Sequence, residues 1–346
     1  MTDAVDALLR DPAYLPYRLD PVLRRVLWLR LEAASRAQAA FLDERAMPAA
    51  PQGGWTPIDV LARLEPPARP AHAIFHIGHC GSTLLSRVLE AADGIEGLRE
   101  PLPLRTLAEA WPHRGAVDGA FSDTSARAAL AGLWSAWSRP LSPGAEAVVV
   151  KATSRCNLLA APLLEAFPAT RAVLLDMPLR PWLATLFKSE AALTDALLPA
   201  GERLRFLQAQ GVASDVALHG LSLPAQCALG WLAEQLRFEA LATGDTAARV
   251  LRVDFDALLA RPQAVLGAVA AHLGLGAHVA DAAMRSPHWT RYSKAPEHGY
   301  GSDDRSHDLD LALRRFGAEV EAGIAAVHGV LAPHPALQAR LAARLG

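Results

Sequence analysis

The chain has 346 residues, 51% hydrophobic and 20% charged, which allows about two domains or one large α/β domain with additions. Its 34 basic and 36 acidic residues leave a net charge of −2, which argues against broad, sequence-blind binding to nucleic acid. No apolar run of about 18 residues is free of charge or histidine, so membrane insertion is not expected.

The opening MTDAVDALLRDP is acidic where a secretory leader would be basic, and the three cysteines at 80, 156 and 227 are odd in number and widely spaced. Both features predict a reduced, cytoplasmic setting. Of the basic residues 31 are arginine, leaving only Lys151, Lys188 and Lys294 as compact ammonium charges.

Residues 1–46 carry apolar positions at three- and four-residue spacing through LDPVLRRVLWLRLEAASRAQAAFLDER and are predicted helical. Pro48, Pro51, Gly53 and Gly54 mark a linker, and Pro66, Pro67 and Pro70 a second. The texture then changes. AHAIFHIG reads as a strand, HCGST as a tight loop and STLLSRVLEAA as a helix. GIEGLRE, AEAVVVKAT, RAVLLDM and ARVLRVDF are the further strands, separated by helical PLPLRTLAEAW, RCNLLAAPLLEAF, PWLATLFKSEAALTDAL and residues 222–243. Strands alternating with helices predict a three-layer α/β fold with a mainly parallel sheet. The expected organisation is a helical extension over 1–70, the α/β domain over 71–300, and a helical C-terminal extension over 301–346 packed on it.

In such a sheet, ligands sit beyond the carboxyl ends of the strands, where Gly78-His79-Cys80-Gly81-Ser82-Thr83 falls. Gly81 permits close approach of a ligand, and first-turn amides at Ser82 and Thr83 suit an anion. A plain Ser/Thr cap on a βα turn gives the same pattern. A Walker A loop fails, because two residues separate Gly78 from Gly81 and Ser82 holds the lysine position. The phosphatase pattern H-C-x5-R also fails, since Arg87 lies one residue too far from Cys80. A reactive Cys80 at a helix start stays open.

The run His79-Cys80-Gly81-Ser82-Thr83-Leu84 after a strand resembles the 5′-phosphosulfate loop of sulfotransferases that use 3′-phosphoadenosine 5′-phosphosulfate (PAPS). The resemblance covers about residues 71–300 and places His79 at the family's Lys/Arg position and Cys80 at its serine. Glu100 lies 21 residues after His79, the offset of the catalytic glutamate in tyrosylprotein sulfotransferases and bacterial relatives. A carboxylate there suits a general base for an acceptor hydroxyl or amine; a helix N-terminal charge is the plain alternative. Lys151, ending VVVK, corresponds to the family's lysine at the sulfonate, so Glu100, Lys151 and His79 are the implied catalytic residues.

In LLEAFPATRAVLLDMPLRPWLATLFKS the family's 3′-phosphate arginine falls on Asp176 or Met177 and its serine on Thr185, with Arg180 or Lys188 as substitutes. VDFDALLARP matches a structural segment of the family. Arg291, Ser293 and Lys294 lie where the family carries a basic loop that closes over the donor; a solvated polar loop is the plain alternative. The resemblance therefore implies a PAPS-dependent sulfotransferase with PAP as product and an unidentified acceptor. No C-x2-C or H-E-x-x-H spacing points to a metal. The missing arginine leaves a nucleotide-dependent kinase open, and His79 in place of a permanent cation leaves a non-catalytic phosphate-binding relative open.

Overall fold

The computed structural model describes residues 2–142, 144–291, 299 and 301–345. Its centre is a sheet of five strands: β4 (His72–His76), β5 (Ile95–Arg99), β6 (Ala147–Lys151), β7 (Ala172–Asp176) and β8 (Val250–Asp254). They lie in the order β5-β6-β4-β7-β8, and every pairing is parallel. Helices flank the sheet, so the α/β expectation holds. All five residues of β7 are buried, which is why RAVLLDM shows no polar alternation. From β4 the chain builds β5 and β6 on one side, then β7 and β8 on the other. The reversal lies beside β4, where an α/β sheet opens a crevice beyond its strand ends.

The first 70 residues depart from the helical expectation. Among the described residues there, only Thr2–Arg10 and Ala33–Gln38 form α-helices, while β1 (Tyr14–Asp20), β2 (Arg25–Arg30) and β3 (Gly53–Pro57) form an antiparallel sheet. The cause is the turn at Asp20-Pro21. Asp20 Oδ1 accepts hydrogen bonds from the Val22 and Leu23 amides, which reverses the chain before a helix can propagate. The apolar run in RVLWLR then fits a strand, with Val26 and Trp28 fully buried. Trp28 Nε1 donates to Thr56 Oγ1 at 3.0 Å, tying β2 to β3.

This N-terminal layer is stitched to the main sheet at one place. The Leu42 amide donates to the Arg99 carbonyl at 2.7 Å, and the Leu42 carbonyl accepts from the Leu102 amide at 3.2 Å. Arg99, completely buried, donates to the carbonyls of Arg36, Ala37 and Ala39 and pairs with Glu90 at 2.5 Å. At the other end of the chain, the helices Ser302–Leu331 and Pro335–Leu345 pack against the α/β unit. Gly323 makes a close approach: a Cβ there would lie 2.8 Å from Leu183 Cδ1 and 3.1 Å from the Pro224 carbonyl. Arg344 reaches back to Asp254 at 2.9 Å and to the buried Asp176, which Arg252 also pairs. Among the described residues, no helix is long and apolar enough to cross a membrane.

Candidate active site

A cleft of about 620 Å³ opens beyond the carboxyl ends of β4, β5 and β6, large enough for a nucleotide-sized ligand. Its floor is the loop after β4. Gly78 (φ 84), His79 (φ 52) and Gly81 (φ 77) are all left-handed, a succession that curls backbone amides into an anion-accepting concavity. Gly81 can be nothing larger, because a Cβ would stand 1.9 Å from the Phe255 ring. The helix Ser82–Glu90 begins directly after it with no side-chain cap, so neither hydroxyl serves as the Ser/Thr cap that the plain reading allowed. Its first-turn amides have no partner within the helix and face the cleft end of the strand. Gly81, Ser82 and Thr83 line the cleft.

Gly78 has a different part from the ligand contact assigned to it. Its amide donates to His76 Nδ1 at 3.0 Å and its carbonyl accepts from Trp182 Nε1 at 2.9 Å, so both polar groups are occupied in holding the loop. The opposite ring nitrogen, His76 Nε2, lies 2.8 Å from the Ala152 carbonyl, which fixes the neutral Nε2–H tautomer. Cys80 is a correction. Its side chain is fully buried, lies 3.3 Å from the Leu175 carbonyl, and does not line the cleft. Burial, reinforced by Asp176, pushes its thiol up to about 12, so it is neither a nucleophile nor a side-chain ligand.

Glu100 and Lys151 do come together. Lys151 ends β6 and Glu100 directly follows the neighbouring β5, and the Glu100 amide donates to the Lys151 carbonyl at 2.7 Å. The Lys151 ammonium, fully buried, pairs with the Glu100 carboxylate and stands 5.6 Å from the Phe41 ring centroid. Glu100 lines the same cleft as the loop. Its φ of 52° is left-handed, a conformation costly for a residue with a side chain. His79, also left-handed, lines the cleft too. The bond to Lys151 and the flanking bonds of Arg99 and Leu102 hold Glu100 in that conformation.

The residues expected around a 3′-phosphate divide between the cleft and the outer surface. Arg180 does not line the cleft: its guanidinium pairs with Glu321 on the outer helix. On the helix Leu179–Phe187, positions 180 and 185 lie roughly 140° apart, so only one of them can face the cleft. Thr185 faces it, although its hydroxyl donates to the Pro181 carbonyl at 2.8 Å. Met177 and Lys188 line it as well, Lys188 paired with Asp308 at 2.9 Å. Arg291 lines it, whereas Ser293 and Lys294 lie outside the described residues.

Several lining residues escaped the sequence reading. Phe41, Asp43 and Arg45 come from the N-terminal layer, with Arg45 stacked 4.2 Å over the Phe41 ring. Arg105, Arg155 and Arg305 join them. Arg155 had a usable signal, as a cation just beyond the buried strand VVVK; the N-terminal residues had none. Among the described lining residues, six permanent cations face three carboxylates, Asp43, Glu100 and Asp195. A chain of net charge −2 thus concentrates positive charge in its cleft, which favours an anionic ligand. Among the described residues no group of three or more His, Cys, Asp or Glu is disposed to hold a metal ion.

No family model matches the chain, and no curated protein matches it. Among solved structures, it is similar to a sulfotransferase domain from the curacin biosynthetic pathway, at 12% identity and a TM-score of 0.40 over 72% of this chain and 99% of that one. It is also similar to a sulfotransferase from Alicyclobacillus acidocaldarius, at 17% identity and a TM-score of 0.38 over 76% of this chain and 97% of that one. A third is a sulfotransferase from Mycobacterium avium, at 13% identity and a TM-score of 0.37 over 91% and 96%.

Proposed function

We propose that this protein transfers a sulfonate group from PAPS to a hydroxyl or amine of an acceptor. The observation that carries the reading is that Glu100, which lines a cation-rich cleft floored by a helix N-terminus, pairs with the ammonium of Lys151 buried directly behind it. The phosphosulfate of the donor lies against the amides of Gly81, Ser82 and Thr83, where backbone dipoles and free N–H groups favour an anion. Glu100 takes the proton from the acceptor, the acceptor oxygen or nitrogen bonds to sulfur, and the bond from sulfur to the bridging phosphate oxygen breaks. PAP leaves with that electron pair.

Lys151 has two successive partners in this scheme. Before transfer its ammonium pairs with the Glu100 carboxylate and fixes where it points. Once Glu100 carries a proton, the ammonium is freed to stabilise charge on the departing phosphate. Most of the rate gain is positioning and charge stabilisation, which fits a site built from rigid strand ends.

Titration calorimetry with PAP, ADP and ATP plus magnesium tests the donor. PAP binding well above ADP supports the sulfonate donor. Equal affinity for PAP and ADP removes PAPS, and tight magnesium-dependent ATP binding puts phosphoryl transfer in its place, a reading favoured by Met177 and the neutralised Asp176 at the expected arginine position. Binding of none of the three leaves the non-catalytic reading.

A further inference from the structure

Arg155 lies in the turn Ser154–Leu159 after β6, lines the cleft, and is mostly buried. One nitrogen is well used: Nη1 donates to Glu109 at 2.7 Å. Nη2 reaches only to 3.9 Å from Asp195 Oδ1, beyond hydrogen-bond range, and the buried Nε has no partner. His79 repeats the pattern. Its Nε2 is buried without a hydrogen-bond partner and stands 3.6 Å from Asp195 Oδ2.

A guanidinium and an imidazole nitrogen from different strand ends therefore flank one carboxylate, and neither comes within hydrogen-bond distance of it. Buried polar nitrogens without a partner are destabilising and rare in folded proteins. Asp195 belongs to the helix Glu190–Leu197, lines the cleft, and its side chain is about half exposed. It sits between a guanidinium and an imidazole as an acid of the wrong size and distance. A tetrahedral oxyanion has three oxygens to offer where the carboxylate has two.

We infer that Arg155 and His79 form a clamp for a tetrahedral oxyanion, and that Asp195 stands in for this anion when the clamp is empty. Given the proposed function, on which this assignment rests, the anion is the phosphosulfate end of the donor. The planar fork of Arg155 supplies Nε and Nη2 to two oxygens while Nη1 stays anchored on Glu109. Asp195 gives way on entry, because like charges cannot share the site. Arg155 is thus a binding residue and Asp195 a competitor whose removal helps the ligand.

Calorimetric titration of PAP and of inorganic pyrophosphate into the wild type, Arg155→Met and Asp195→Asn tests this. Arg155→Met should weaken both ligands by about ten- to a hundredfold, the range of a lost charge-assisted bond. Asp195→Asn, a same-shape change at an exposed position, should tighten both by about two- to fivefold. Unchanged affinity in both variants, or weaker binding in Asp195→Asn, overturns the clamp. The two readings fail separately. PAP binding that ignores Arg155 removes the clamp and keeps the donor, whereas Arg155-dependent pyrophosphate binding without PAP binding keeps the clamp and removes the donor.

Discussion

Glu100 and Lys151 are tied twice, once by the Glu100 amide to the Lys151 carbonyl and once by the Lys151 ammonium to the Glu100 carboxylate. The backbone bond sets where the carboxylate starts from, and the side-chain bond sets where it points. A pair 51 positions apart in sequence is thereby fixed on two neighbouring strand ends.

Glu100→Gln keeps an oxygen for Lys151 but removes the base. Turnover should fall by about 10²- to 10⁴-fold with PAP affinity within a few-fold of wild type, as expected of a group that acts in the chemical step. Lys151→Met should also lower turnover, and its product-release and binding profile should show weaker PAP. A Glu100→Gln enzyme with near-normal turnover in a sulfonate-transfer assay would remove the base from Glu100.

Arg99 is the support beneath that pair. Its guanidinium is completely buried, bonds three carbonyls of the segment 36–39, and neutralises Glu90. Burial pushes the Glu90 carboxyl up, and Arg99 opposes that shift. Arg99→Met leaves three carbonyls and a largely buried acid without their partner, so unfolding in urea should show a loss of about 3–5 kcal/mol. Arg99→Met/Glu90→Gln should recover part of it, because the orphaned charge is gone. A single variant as stable as wild type contradicts the assigned role.

The parts legible in the sequence are those whose signals are local. AHAIFHIG followed by glycine and hydroxyls specifies strand, loop and helix within fifteen or so residues, and RAVLLDM is apolar enough to declare a central strand. The N-terminal sheet was hidden because a four-residue apolar run suits helix and strand alike; the Asp20 side-chain turn and the pairing to β3 decide it. Phe41 and Arg45 were invisible for a related reason. Their place beside Glu100 follows from the Leu42 backbone bonds to Arg99 and Leu102, which no local pattern encodes. Arg180 misled because its partner, Glu321, is 141 residues away.

The thiols should be silent in the folded protein. All three cysteines are buried, and burial pushes Cys80 and Cys156 up to about 12 and Cys227 up to about 11. A colourimetric thiol reagent at mildly alkaline pH should label native protein slowly and denatured protein at all three sites. Rapid labelling mapped to Cys80 would contradict its exclusion from the chemistry.

At the opposite end of the sheet, His72 should make stability depend on acidity. Burial first, then Arg171 and His272, lowers its pKa from 6.5 to about 4. The unfolded chain therefore takes up a proton near 6.5 that the folded chain refuses until about 4. Its contribution is complete above 6.5 and is lost as pH falls from 6.5 to about 4. His72→Phe removes the titration while keeping a flat ring, so its melting temperature should fall less steeply than that of wild type across this interval. Because His72 begins β4 and lines no part of the cleft, the pH profile of nucleotide binding should be the same in both proteins. Parallel melting curves for variant and wild type would show that His72 carries its proton in the folded state and that its surroundings are wetter than the packing indicates.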